Sequence, residues 1–186
     1  MTFPVDLFII DDIQITDKNA VLTNDTRSLQ FRARKIPGQR WEVKLQTRAT
    51  PDNRKAAIGY ASTLQGGVTV ETIVLPYFSE SLAGVKLVNQ GIAVGASSVN
   101  LQESVDVNVG DYFKFAGHSK VYIVKSKLGL NIKFHPNLVR AVAPSEQVIF
   151  NNVPMTVQSM NKAQVFGSSG RYAMLNVDFN FVEVIS

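Results

Sequence analysis

The feature that most constrains the fold is a strict alternation of apolar and polar residues that begins at the only tryptophan of the chain. Trp41, Val43 and Leu45 face one way, and the polar residues between them face the other. A period of two is typical of a β-strand with one buried and one solvated face. The run therefore predicts a strand that Trp41, a side chain that buries a large apolar area, anchors in a core.

A second alternating run covers residues 29–34, and Pro37-Gly38 separates the two runs. Proline presets its own φ and glycine can take a positive φ, which suits a tight reversal of the chain. We expect a β-hairpin with Pro37-Gly38 as its turn.

The polar face of this expected hairpin is strongly basic, and it is the candidate interface. Its residues are Arg32, Arg34, Lys35, Arg40, Lys44 and Arg48. Such a face can contact an acidic partner, either a protein or a nucleic acid. It can equally be a solvated edge that charge protects from unwanted strand pairing.

One helix is expected, over about residues 51–65. Thr50-Pro51-Asp52 offers a capping side chain, a proline suited to the first helical position and an acid that complements the helix dipole. The predicted buried stripe is Ala57, Ile58, Ala61 and Leu64. Gly66-Gly67 ends the helix, and a β-branched strand follows up to Pro76.

Beyond Pro76 the sequence changes to short β-branched runs spaced by glycine, asparagine and serine. The predicted strands are 85–88, 98–101, 112–116, 120–125, 131–134 and 147–150. This series is typical of a small β-barrel or sandwich.

The last segment alternates again, with Leu175, Val177, Phe179 and Phe181 on one face. That apolar face needs a sheet to pack into, and we expect it beside the Trp41 strand. The predicted fold class is mainly β, with a minor α+β character. Residues 1–82 and 150–186 form a discontinuous sheet domain with one helix, and residues 83–149 form the inserted barrel-like domain.

Catalytic chemistry has little support in the sequence. There is no cysteine, and neither His118 nor His135 has a second ligand at metal-binding spacing. The acidic pair Asp11-Asp12 lies in an expected loop, where carboxylates usually face solvent. No phosphate-binding loop or nucleophile elbow is present. We therefore expect no catalytic residue, cofactor or metal, and no enzyme.

The chain also lacks the sequence features of membrane insertion. The apolar stretch 8–10 is short and has no basic region before it, unlike a signal peptide. No run approaches the roughly 20 apolar residues of a membrane helix.

A nucleic-acid-binding barrel is the alternative function. Tyr112, Phe113, Phe115 and Tyr122 alternate with lysines, and bases stack on exposed aromatic rings. However, Phe113 and Phe115 share one strand face, so they can instead fill the barrel.

Gly38-Gln39-Arg40-Trp41-Glu42, with the order of elements after it, resembles a family of tailed-bacteriophage virion proteins. In that family a Gly-Gly-Gln-Arg-Trp-Glu motif precedes a strand, a helix and an apolar strand ending in Leu-Pro, and a later Gly-Asp segment opens an inserted hairpin. Here Pro37 replaces the first glycine, and the Gly-Asp segment is 109–115.

The resemblance spans about residues 28–186. It implies a ring-forming tail or baseplate protein of the distal-tail or adaptor type, made in the host cytoplasm and carried in the virion. Its expected partners are other tail or baseplate proteins and further copies of itself. The position in the tail stays open.

Overall fold

The structure, a computed structural model, describes residues 2–18, 21–25, 31–35, 38–64, 69–74, 84–161, 163–167 and 174–185. For residues 21–25, 31–35 and 166–167 it describes the backbone only. The strands are β1 (Ile9–Lys18), β2 (Val21–Asp25), β3 (Phe31–Lys35), β4 (Arg40–Ala49), β5 (Val70–Val74), β6 (Val85–Leu87), β7 (Ser98–Asn100), β8 (Tyr112–Phe115), β9 (Val121–Leu128), β10 (Asn131–His135), β11 (Gln147–Ile149), β12 (Pro154–Ser159), β13 (Gln164–Gly167) and β14 (Leu175–Glu183). The helix of the described part is α1 (Arg54–Thr63), and a short 3-10 turn covers Val5–Leu7. The predicted class, mainly β with one helix, is confirmed.

The first sheet has the strand order β1-β4-β14-β12-β5, and β13 also pairs with β14. Leu45 pairs with Phe179, and Val43 pairs with Phe181, so the apolar faces of β4 and β14 lie side by side. All four of these side chains are buried. The predicted pairing of the last strand with the Trp41 strand is confirmed.

The hairpin expected at Pro37-Gly38 is wrong. The strand β3 pairs with β2, whereas β4 pairs with β1 and β14. In the register with β1, Ile13 and Ile15 lie opposite Leu45 and Val43. The ten-residue strand β1 can therefore pair along most of β4 with apolar residues in register, whereas β3 has only five residues. Pro37 lies outside the described residues, and Gly38 has a φ of 130°.

The loop expected at Asp11-Asp12 is also wrong, because both residues belong to β1. The register with β4 shifts between Ile10 and Asp12, which places Asp11 in a β-bulge. A bulge re-aims the side chain of the extra residue.

The helix begins three residues later than predicted. A turn closed by the Asn53 N–H bond to the Thr50 carbonyl, 3.1 Å, precedes it. Ala57, Tyr60, Ala61 and Leu64 are buried. Ile58 is 43% exposed, so Tyr60 takes its predicted place in the stripe.

The second sheet has the strand order β6-β11-β8-β9-β10-β7. Its strands match the six predicted runs to within a few residues at each end. They enclose a buried cluster that runs in sequence from Val88 to Phe150 and includes Phe113, Phe115 and Tyr122.

The chain divides into two compact units. One contains residues 4–71 and 157–183, and the other contains 1–3, 72–156 and 184–186. The boundaries fall within β5 and β12. The sequence-based boundaries at 82/83 and 149/150 stay a prediction.

Candidate assembly surface

The structure describes the side chains of three of the six candidate interface residues, and these three lie on the first sheet. Arg40, Lys44 and Arg48 occupy the outer face of β4, four residues apart, and all three are exposed. At about 3.3 Å per residue, neighbouring members stand about 13 Å apart along the strand. Arg32, Arg34 and Lys35 belong to β3, and their side chains lie outside what the structure describes.

Arg48 is engaged by the acid that the bulge re-aims. Its Nε donates to both carboxylate oxygens of Asp11, at 2.9 and 2.7 Å, and its Nη2 donates to Asp11 Oδ1 at 2.6 Å. These hydrogen bonds, and the charge of Asp11, raise the pKa of Arg48. A fork-like pair of this kind fixes the guanidinium in one orientation. Arg48 is therefore less available to a partner than Arg40 or Lys44.

A second ion pair lies on the same face. Lys18 Nζ is 2.9 Å from Glu42 Oε2, and Lys18 pairs directly across the strands with Arg40. Glu42 thus neutralises the charge of Lys18, which is one of the two neighbouring cations Lys18 and Arg40. The pair leaves Arg40 and Lys44 as the basic side chains of the β4 face that a partner could reach most freely.

Beneath this face the motif residues are buried. Trp41 is 4% exposed and Gln39 is 6% exposed. The Trp41 backbone N–H donates to Glu183 Oε2 at 3.3 Å, and Glu183 is itself fully buried. The sequence analysis did not identify Glu183 as a core residue. The alternation of β14 could have indicated it, because Glu183 lies two residues after Phe181 and therefore on the same buried face.

Another buried acid, Glu71 of β5, accompanies Tyr60 of α1 in the same unit. Burial raises the pKa of Glu71, and burial and the nearby Glu71 charge raise the pKa of Tyr60. A carboxyl group with a raised pKa in an apolar environment favours its neutral form. Both groups are enclosed by protein, so we assign them to the core.

A buried histidine, His118, lies in the turn between β8 and β9. His118 is 5% exposed, and its Nδ1 lies 3.3 Å from the Tyr122 hydroxyl. Glu146 Oε1 lies 3.9 Å from His118 Nε2. Burial lowers the pKa of His118, although the Glu146 charge opposes that effect.

Glu146 has a structural role beside this histidine. Its Oε1 accepts the Gly117 N–H, and its Oε2 accepts the Ala143 N–H, both at 3.0 Å. The carboxylate therefore ties the turn after β8 to the turn before β11. Its importance could not be seen from sequence, because nothing in the sequence brings residues 117 and 146 together.

The four aromatic residues proposed for base stacking are buried. Phe113, Phe115 and Tyr122 have no exposed surface, and Tyr112 is 7% exposed. Their rings contact each other, as in the 5.6 Å stacking of Phe113 and Tyr122. These rings therefore offer no stacking surface to a nucleic acid.

The described residues contain no group of three or more metal-binding side chains. None of the described helical segments has the length and hydropathy needed to cross a membrane. In the comparisons with known proteins, no protein-family model matches the chain and no curated protein gives a significant match.

Proposed function

We propose that the chain is a structural component of a tailed-bacteriophage virion, a ring-forming tail or baseplate protein that joins other tail proteins. The observation that carries this proposal is the position of the resembling motif. Residues 38–42 lead into β4, α1 and β5 follow β4, and the hairpin of β8 and β9 comes later in the chain. That is the order of elements that the resemblance implies.

The Gly-Asp segment gives a second point of support. Gly110 has a φ of 102°, a conformation that favours glycine, and Asp111 Oδ2 accepts the Asn108 N–H at 2.8 Å. This turn leads directly into β8. Gly110 and Asp111 thus form the turn that begins the hairpin of β8 and β9, in agreement with the resemblance.

We propose further that the inserted sheet closes into a small barrel. Its edge strands β6 and β7 meet at the bridge between Val88 and Leu101. The Asn89 N–H donates to the Asn100 carbonyl and the Gln102 N–H to the Leu87 carbonyl, both at 2.9 Å. Closure removes free sheet edges, which suits a module exposed in a large assembly.

Charge reversal on β4 tests the proposal in particles. The double variant Arg40→Glu and Lys44→Glu keeps the core intact, because both side chains point to solvent. We expect it to fold normally and to enter purified phage particles at least about tenfold less than the parent, since like charges facing across an interface cost several kcal/mol.

The matched control is Arg54→Glu with Lys55→Glu on α1, which makes the same change in net charge on another surface of the same unit. We expect normal incorporation of this control, measured by immunodetection in purified particles. Absence of the parent chain from particles would contradict the proposed function. Normal entry of the β4 variant would remove only the β4 face from the interface.

A further inference from the structure

The hairpin of β9 and β10 ends in an exposed apolar tip, formed by Leu128, Gly129 and Leu130. Leu128 is 84% exposed, the highest value among the large hydrophobic residues of the described chain, and Leu130 is 44% exposed. Leu128 pairs with Asn131, and Gly129 has a φ of 58°, so the tip is a tight two-residue turn. Turns of this kind usually carry polar residues. The two leucines contribute little to the core from this position.

Lysines surround the tip on both faces of the hairpin. Lys127 pairs with Ile132, whose side chain is buried in the core cluster, whereas Lys133 pairs with Ser126. Directly paired residues project to the same face of a sheet, so Lys127 and Lys133 lie on opposite faces. Lys125, at the register shift, is also exposed. We call Lys125, Lys127 and Lys133 the lysine collar.

Few negative charges offset this collar. The sequence from residue 112 to residue 145 contains no aspartate or glutamate. Lys127 Nζ donates to the Val105 carbonyl, which brings Asp106 into the neighbourhood. Counting Asp106, the collar still has a net positive charge.

We propose that this hairpin tip binds an anionic lipid surface, approaching it end-on. The leucines enter the boundary between headgroups and acyl chains, and the lysine collar lies at the level of the lipid phosphates. Lysine suits that position, because its apolar stem can lie along the bilayer while its ammonium group stays hydrated.

The distribution of charge favours a planar surface over a groove on a protein. A hairpin seated in a groove presents mainly one face, whereas here positive charge stands on both faces behind an exposed apolar turn. A bilayer needs no complementary shape and meets both faces at once. The proposal concerns lipid, so it goes beyond the assembly role and does not depend on it.

Sedimentation with vesicles tests the proposal on the full chain. One set of vesicles contains equal parts phosphatidylglycerol and phosphatidylcholine, and the other contains phosphatidylcholine alone. We expect the chain to sediment with the anionic vesicles, more weakly as salt is added, because salt screens charges at the membrane surface. Failure to bind the anionic vesicles at low salt overturns the proposal.

Variants locate the binding on the hairpin. Leu128→Ser with Leu130→Ser should weaken binding by about tenfold or more, because the apolar contact is lost. Lys125→Ala with Lys133→Ala should weaken binding to anionic vesicles by about tenfold, each lysine contributing about fivefold or less. The matched control is Val94→Ser with Val139→Ser, two exposed apolar residues near Leu138, beyond the other end of β10. We expect the control to bind like the parent.

A fluorescent reporter gives a second measurement. Trp41 is buried, so Leu128→Trp adds one exposed indole whose emission should shift to the blue on addition of anionic vesicles. An unchanged emission while the chain sediments would place the contact elsewhere and overturn the proposal. Self-association without lipid, seen by light scattering and lost in the leucine variant, would assign the tip to a second copy instead.

Discussion

At the scale of the residue, Trp41 contributes to the core through its side chain and to a buried hydrogen bond through its backbone. Its ring lies in the core, and its backbone N–H donates to the carboxylate of the buried Glu183. We expect Trp41→Ala to lower the free energy of unfolding by about 3–5 kcal/mol, the usual cost of deleting a buried tryptophan. Urea denaturation followed by circular dichroism measures this loss.

The control for that variant is Lys44→Ala on the exposed face of the same strand. Surface substitutions of this kind usually change the free energy of unfolding by about 0.5 kcal/mol or less. An equal, small effect at both positions would show that Trp41 does not anchor the core.

His118 predicts the direction of a pH dependence. Burial lowers its pKa below the ordinary value of 6.5, so the unfolded chain takes up a proton at a higher pH than the folded chain does. The stabilisation is complete above 6.5 and is lost as the pH falls through 6.5 towards the folded pKa. We expect a smaller free energy of unfolding at about pH 5 than at about pH 7.5.

Urea denaturation at the two pH values measures this difference, and His118→Gln separates it from the effect of other groups. The variant should lose less stability between the two pH values than the parent loses. An identical loss in both proteins would mean that His118 does not control the pH dependence.

At the scale of the element, the turn at Gly117 depends on having no side chain. A Cβ there would lie 2.8 Å from Glu146 Oε1, the oxygen that accepts the Gly117 N–H. Gly117→Ala must therefore displace the carboxylate that also accepts the Ala143 N–H. We expect a loss of about 0.5–1.5 kcal/mol in the free energy of unfolding, because the hydrogen bonds that the Gly117 and Ala143 N–H groups make to this carboxylate are weakened.

Gly59→Ala is the matched substitution on α1, where an added Cβ meets nothing within 4 Å. Because alanine loses less conformational entropy in a helix, we expect a gain of about 0.5–1 kcal/mol. Thermal melting of both variants measures the contrast. A stabilising effect at Gly117 would show that the Glu146 contact moves without cost.

The elements also show what sequence could and could not predict. The strands of the second sheet and the last strand were predicted because each has one buried face, which forces alternation or a β-branched run. Most of β1 was mistaken for a loop, because β1 is an edge strand whose residues are mostly exposed or half-buried, and its aspartates are typical of loops. The partner of β4 was mistaken because Pro37-Gly38 is a local signal, whereas strand pairing depends on contacts distant in sequence.

The same limit applies to the candidate surface. The alternation correctly placed Arg40, Lys44 and Arg48 on the polar face of β4. The sequence could not show that Asp11 engages Arg48, because that pair depends on a bulge in β1 at a position where the sequence predicted a loop. The spacing of residues in the sequence shows which charged side chains share a face of a strand. Which of them form ion pairs depends on how the strands pair in the folded sheet.

At the scale of the whole molecule, the second sheet has a core of its own. Every residue of its buried cluster lies between Val88 and Phe150. The ends of this segment are adjacent, since the Phe150 N–H donates to the Gly84 carbonyl at 3.1 Å. A segment with a self-contained core and neighbouring ends can be removed without stretching the chain that remains.

We therefore expect a folded protein after deletion of residues 85–149, closure with a short Gly/Ser linker and Phe150→Ser, which removes a phenylalanine left without its core. The remaining chain keeps β4, β14 and α1, and Trp41 should still emit in the blue because its contacts with β14 persist. Tryptophan fluorescence and cooperative urea denaturation measure this outcome. Red-shifted emission without a cooperative transition, from a protein whose intact parent folds, would mean that the sheet of β4 and β14 cannot form without the insertion.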